Sequence, residues 1–370
     1  MSATLHRQID PARTEAFAGR LLATYTDGVV TLLIDLGHRT GLLETLAAGE
    51  GTGQELAERA GLAERYVREC LGGLVTAGIV EYSPATATYR LPPEHAVCLS
   101  GPGSLNLAPL SRISALLGRH VGDVAEAFRS GGGVPYSAFR PEFTDVMDEV
   151  SRGLLDGQLL EGIVPLVDGL GERLAAGARV ADVGCGTGHA VNLLARAHPR
   201  AAVTGYDLAA DAIGRARAEA ADWGLPNARF EVRDATDLPT DPPFTAVFAF
   251  DAIHDQADPA GVLRRIHDAL EPGGVFVMLD IKAASALEDN VGNPLAPWLY
   301  GVSTLHCLTV SLAVGGAGLG TVWGEEQARR MLAEAGFVDV SVRDVPDDPL
   351  DSLYVAHRPA GRFAPDGDRR

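Results

Sequence analysis

Ala181-Asp182-Val183-Gly184-Cys185-Gly186-Thr187-Gly188 is the stretch on which the fold turns. An apolar run beginning near Arg179 meets an acid, three glycines then alternate with small residues, and a helical pattern opens at His189. Glycine admits backbone conformations and close approaches that a side chain blocks, so a strand, a glycine turn and a helix in succession bring a ligand against bare backbone. A dinucleotide site would want Gly or Ala at the sixth position of GxGxxG, to pack helix on strand beside a pyrophosphate. That position holds His189, and the third glycine comes one residue earlier, at Gly188. The GxGxG spacing suits a nucleoside ligand without a pyrophosphate.

Working outward, strands and helices alternate from residue 178 onward. Strand candidates are 179–183, 202–207, 228–234, 245–253, 274–281, 338–345 and 352–357. Between them lie helices, one capped by Asp258 with Pro259 at its first position and closing at Gly273, another over 325–335 that stops at Gly336. Such alternation predicts a mostly parallel sheet covered on both faces, with ligands beyond the carboxyl ends of the strands. Asp207, followed by Leu208, ends the second strand, where a carboxylate can bridge two ribose hydroxyls. Asp234 ends the third, with Ala235 after it, where an adenine edge would sit. Three acids at consecutive strand ends behind one glycine loop are a poor fit to solvated surface.

These residues resemble the class I S-adenosylmethionine-dependent methyltransferases over roughly 159–357. The resemblance implies an α/β fold, a Rossmann-like seven-stranded methyltransferase sheet, and S-adenosylmethionine as cofactor. Asp182, Gly184 and Gly186 would hold its methionine part, Asp207 with Leu208 the ribose, and Asp234 and Ala235 the adenine. Phe250 and Asp251, at the end of the fourth strand, match the family's position beside the transferred methyl. An N-terminal winged helix and a helical linker before this domain look like the small-molecule O-methyltransferases, whose N-terminal domain dimerises. The likeness is closer still to actinobacterial winged-helix methyltransferases of unassigned substrate.

A hydroxyl acceptor needs a base, because a phenol near pKa 10 is scarcely ionised at neutral pH. Ile253-His254-Asp255 follows the fourth strand, and the O-methyltransferases it resembles carry a catalytic His here in a His-Asp-Trp or similar sequence. Gln256 stands where Trp would, so the acceptor packing does not carry over. The implied activity is O-methylation with His254 as base. N-, S- or C-methylation without a base, or a cofactor-binding transcriptional regulator, are the rivals. Tyr25, Phe143, Met147 and His306 are candidate acceptor contacts, with Tyr136 and Phe139 as further aromatic pocket or core residues. Cys307 beside His306 makes a poor metal pair without more ligands, and no metal site is expected. Lys282, the single lysine beside thirty arginines, is read as solvated.

The N-terminal segment reads as a helix over 29–47, a short helix opened by a Thr52/Glu55 capping box and closed at Gly61, a third from about Ala63 to Gly78, and a β-ribbon. That order is a winged helix. Between residues 1 and 100 there are eight Arg and no Lys against twelve acids, a net of 8 − 12 = −4, and the whole chain carries −18. A groove reader needs uncompensated cations, so nucleic acid is not the expected partner. Two helical stretches, 105–128 and 142–170, connect the halves. The expected organisation is a winged-helix dimerisation domain over 1–103, a helical linker over 104–158, a cofactor-binding domain over 159–358 and a disordered tail over 359–370. Residues 290–324 lack any charge yet are broken by prolines and glycines, which suits a buried lid rather than a membrane span. Four scattered cysteines and an N-terminus unlike a signal peptide point to a cytoplasmic, reduced enzyme, and the resemblance implies that it is a homodimer acting on a small molecule.

Overall fold

The computed structural model describes residues 9–361, so the tail from 362 onward lies outside the described residues. The chain forms two compact units, one ending at Ala115 and one beginning at Leu116.

In the first unit the Asp10 carboxylate accepts from the Ala12 and Arg13 N–H groups and opens α1 (Pro11–Arg39), with Pro11 at its first position. The helix expected over 29–47 is therefore two, divided at Gly41, whose φ is +69°, before α2 (Leu42–Ala48). The helix thus starts well before the expected 29, and Phe17, Leu22 and Tyr25 in its first half stay exposed. Among the described residues, α1 is the one helix long and apolar enough to cross a membrane by length and composition, although Asp27 and Asp35 lie on it. Next come β1 (Gly51–Thr52) and α3 (Gly53–Ala60), whose capping box is formed in both directions. α4 (Glu64–Thr76) buries Val67, Leu71 and Leu74 against Leu42, Leu43, Leu46 and Leu56, each worth about 1.5–3 kcal/mol when taken from water. The wing is β2 (Glu81–Ser83) and β3 (Thr88–Arg90) in an antiparallel sheet ordered β1-β3-β2. α5 (Pro93–Leu99) follows, and α6 (Leu110–Gly118) carries the chain across the boundary.

The second unit begins with α7 (Val121–Ser130), α8 (Tyr136–Phe139) and α9 (Glu142–Gln158), the last running into a π turn at Leu159–Ile163 before α10 (Leu170–Ala176). The long stretches expected at 105–128 and 142–170 are thus broken, the second where Pro165 has no N–H to donate. Then follow β4 (Arg179–Val183), α11 (His189–Ala197), β5 (Ala202–Asp207), α12 (Ala210–Asp222), β6 (Ala228–Val232) and β7 (Phe244–Phe250). α13 (Pro259–Ala269) is capped by Asp258 as expected, but closes at Ala269 rather than Gly273, because β8 (Leu270–Ile281) starts at once by pairing Leu270 with Phe244. The uncharged segment forms α14 (Leu287–Asn290), α15 (Ala296–Val302), a π turn at Ser303–Cys307 and α16 (Leu308–Ala313). α17 (Glu325–Glu334), β9 (Val338–Asp344) and β10 (Asp351–His357) complete the unit.

Seven strands pair in the order β6-β5-β4-β7-β8-β10-β9, parallel through β8 and antiparallel for β10 with both neighbours. Alternate residues serve opposite faces. Val180, Phe248 and Val277 pack with Val191, Leu194 and Ile213, while Ala181, Val247 and Phe276 pack with Val262, Ile266 and Leu332. Strand order reverses at β4, between β5 and β7, so the crevice for a ligand opens at its carboxyl end.

Candidate functional site

The glycine loop leaves β4 and is tied to β5 at once. The Gly184 and Cys185 N–H groups donate to the Tyr206 carbonyl at 2.8 and 3.1 Å, and the Gly186 N–H to Asp207 Oδ2 at 2.8 Å. Gly184 has a φ of +73°, and a Cβ there would lie 2.5 Å from that of Ala252. Gly186 has a φ of +52° with open space where a Cβ would point. Asp207 accepts from Ala209 N–H as well, at 2.8 Å. Behind the loop Asp182 is buried with Oδ1 lacking any partner, and burial, then the nearby Asp207, pushes it up to about 8. Asp234 stands two residues beyond the end of β6 rather than on it; its side chain caps a short turn by accepting from Thr236, and Ala235 behind it is buried. Leu208 is exposed, and Phe250 is half-buried and stacked on Phe248.

His189, the departure from the dinucleotide pattern, is a structural node. Its Nε2 meets Asp156 at 2.8 Å and its Nδ1 meets Glu219 at 3.1 Å, while Arg152 donates to Glu219 at 2.9 Å. Thr187 of the loop donates to Asp148, so α9 and α12 are both fastened to the glycine turn.

The loop after β7 carries His254, buried, with Nδ1 2.8 Å from Asp280 Oδ1. Asp280 is wholly buried near the end of β8, and the same oxygen accepts from the Trp323 indole at 3.0 Å and the Ile281 N–H at 2.9 Å. Burial opposes charge on the ring, but Asp280 outweighs it and, with Cys307 adjoining, holds His254 well above its ordinary value. Neither Asp280 nor Trp323 was among the residues singled out in the sequence. An acid inside the apolar run Val277-Met278-Leu279-Asp280-Ile281 is the clue that could have found the first. Asp251, with a φ of +49°, donates its N–H to the Leu279 carbonyl at 2.9 Å and leaves Oδ1 unpartnered. Burial, then Asp280, pushes Asp251 up to about 7; burial lifts Asp255 to about 6.

Beside this group His306 sits in the π turn, stacked on Phe143 at 3.6 Å and met edge-on by Phe139 at 4.7 Å and Tyr136 at 5.9 Å. Met147 is half-buried on α9. Lys282 forms an ion pair with Asp344. Tyr25 lies on α1 in the other unit and is exposed.

These protonation states set the dependence of stability on pH. Asp182, Asp251 and Asp255 hold protons that the unfolded chain releases near pH 4, so their contribution falls as pH rises toward 8. His254, raised in the fold, adds stability below about 6.5 that is lost as pH climbs through its folded value. His306, held low, opposes this only below about 6.5. The ligand-free protein should therefore melt at a lower temperature at pH 8.5 than at 6.5, each kcal/mol lost costing about 2–4 °C. A scanning calorimetry series showing a flat or rising melting temperature over that range would contradict these assignments.

Comparison with known proteins bears on both units. Residues 28–101 match the Rv2258c-like winged HTH domain, and residues 174–336 match a methyltransferase domain family. Trans-aconitate 2-methyltransferase of Methylobacterium nodulans is 34% identical over 121 residues, covering 33% of this chain and 42% of that protein. Demethylspheroidene O-methyltransferase of Rhodobacter capsulatus is 25% identical over 314 residues, 81% of this chain and 72% of that one. Among solved structures, human N-acetylserotonin methyltransferase in complex with S-adenosylmethionine superposes with a TM-score of 0.67 at 19% identity, covering 97% of this chain and 100% of that one. The chain spans about half the length of the first curated relatives it matches. Residues 28–101 are thus similar to Rv2258c-like winged helix-turn-helix domains and residues 174–336 to methyltransferase domains, and the chain has the fold of the solved methyltransferase.

Proposed function

We propose that this protein transfers a methyl group from S-adenosylmethionine to a hydroxyl of a small-molecule acceptor, with His254 as general base. The observation that carries this reading is the His254–Asp280 pair, held by Trp323 at the carboxyl end of the sheet beside the glycine loop strand. The cofactor's chemistry is to offer an electrophilic methyl on a sulfonium. The residues present suit that molecule: the unpartnered Asp182 carboxyl and the open space over Gly186 accommodate the methionine part, Asp207 and Leu208 the ribose, and Asp234 and Ala235 the adenine. Phe250 and Asp251 would flank the methyl. Asp280, bonded to Nδ1, leaves Nε2 as the nitrogen that takes the acceptor's proton. Phe143, Met147 and His306 form the acceptor wall.

The first unit serves dimerisation in this reading. Phe17, Leu21, Tyr25, Val29, Leu32 and Leu36 recur along α1 at three- and four-residue steps and are exposed, a stripe suited to a second copy. Tyr25 then belongs to that stripe as well as being a candidate acceptor contact. Arg65 and Arg68 on α4 are paired with Glu69 and Glu64, which leaves little free charge for a phosphate backbone. The four free cysteines suit a reduced, cytoplasmic setting.

Calorimetry with S-adenosylmethionine and S-adenosylhomocysteine, followed by transfer of labelled methyl to a panel of hydroxylated acceptors, tests the proposal. Binding of both nucleosides and label on an acceptor oxygen are expected. Folded protein that binds neither would end it.

A further inference from the structure

His306 is a buried polar side chain that the proposed proton transfer does not use. It is wholly inaccessible to solvent, and its Nε2 has no hydrogen-bond partner among the described residues. Native proteins rarely keep such a nitrogen unmet, because no water replaces the missing bond. The rings of Phe143, Phe139 and Tyr136 fix the plane of the imidazole. Its other nitrogen, Nδ1, lies 3.7 Å from Cys307 Sγ, and Cys307 in turn adjoins the ring of His254. One thiol therefore separates the base from the second imidazole. The residue also lies in a π turn, a rare conformation found often where a helix serves a site. Burial, then the charge of His254, holds His306 down to about 3, so it meets a ligand as an uncharged hydrogen-bonding group.

We propose that His306 determines acceptor specificity by hydrogen-bonding, through Nε2, a second polar atom adjacent on the acceptor skeleton to the hydroxyl that is methylated. The acceptor class is then a vicinal pair, such as a catechol or an ortho-hydroxycarbonyl compound, rather than an isolated phenol or alcohol. This rests on the reading of His254 as the base for methyl transfer. The physical reason is the asymmetry of buried hydrogen bonds: an acceptor lacking the second atom leaves Nε2 as destitute as before, whereas one that carries it satisfies both.

The test is calorimetry on the full chain saturated with S-adenosylhomocysteine, titrated with catechol and separately with phenol. Catechol should bind at least about tenfold more tightly, the discrimination a buried hydrogen bond supplies. His306→Phe keeps a ring to stack on Phe143 while removing both nitrogens, and should shrink that preference to within about twofold. His306→Gln, which retains a hydrogen-bonding group, should recover part of it and also serves if the Phe variant does not fold. Equal binding of the two probes overturns the proposal, as does a preference unchanged in the variants. Binding of neither probe by protein that has taken up S-adenosylhomocysteine overturns it too. Failure to take up S-adenosylhomocysteine is a different result, and counts against the methyl-transfer reading itself.

Discussion

Replacing His254 with alanine should lower kcat by about 10²–10⁴-fold, the usual contribution of a positioned base, while leaving the dissociation constant for S-adenosylmethionine unchanged. The separation follows from where the residue sits. His254 is held by Asp280 through Nδ1, while Gly186 and Asp207 bond to each other, so the two sets of hydrogen bonds share no partner. The same geometry sets a pH signature. Because Asp280 overcomes burial and keeps the ring charged well above its ordinary value, the proton-free form that can act as base grows as the solution becomes more alkaline. The rate should therefore climb with pH through and above neutrality, and the slope should vanish in His254→Ala. Steady-state kinetics across pH with calorimetric binding in parallel decide the matter. Turnover that survives the substitution would remove His254 as base and favour N-, S- or C-methylation.

The second large effect concerns two glycines that look alike in sequence and differ in space. Gly184→Ala would place a methyl 2.5 Å from the Ala252 Cβ at a φ of +73°, so strain and overlap both fall on the folded state. A left-handed alanine costs about 1–2 kcal/mol and overpacking typically about 1–3 more, enough to lower the melting temperature by several degrees. Gly186→Ala bears only the backbone cost, since nothing stands within 4 Å of its would-be Cβ. That methyl instead enters the space proposed above for the methionine part of the cofactor. Gly186→Ala should thus stay folded yet bind S-adenosylmethionine about ten- to a hundredfold more weakly, the steric penalty of one misplaced methyl. Thermal melts and calorimetry on the pair separate the two roles. Equal melting temperatures, or full affinity in Gly186→Ala, would refute the assignment.

The βα order was legible because parallel strands covered on both faces are apolar runs, and Val180, Val247 and Val277 announce themselves by residue type alone. Asp182, Gly184, Gly186 and Asp207 could be singled out for a second reason: they gather at and just beyond the carboxyl ends of β4 and β5, where the sequence itself turns from apolar strand to glycine loop or acid. What escaped was whatever tertiary packing assembles. Asp280 reaches His254 from 26 residues away and Trp323 joins from 43 residues beyond that, with no local spacing to advertise either contact. His306 and Phe143 were each notable in isolation, but their stacking joins α9 to a π turn far along the chain. Boundaries slipped where one element abuts the next, as at Ala269 and Leu270.

Asp251 holds a backbone angle that glycine would adopt without cost and that an L-residue tolerates at about 1–2 kcal/mol. Random substitution acting on thermostability alone would drift this position toward glycine. In the reading proposed above, in which Asp251 flanks the transferred methyl, a search for hardier variants that relieved this angle would remove a working carboxylate with it.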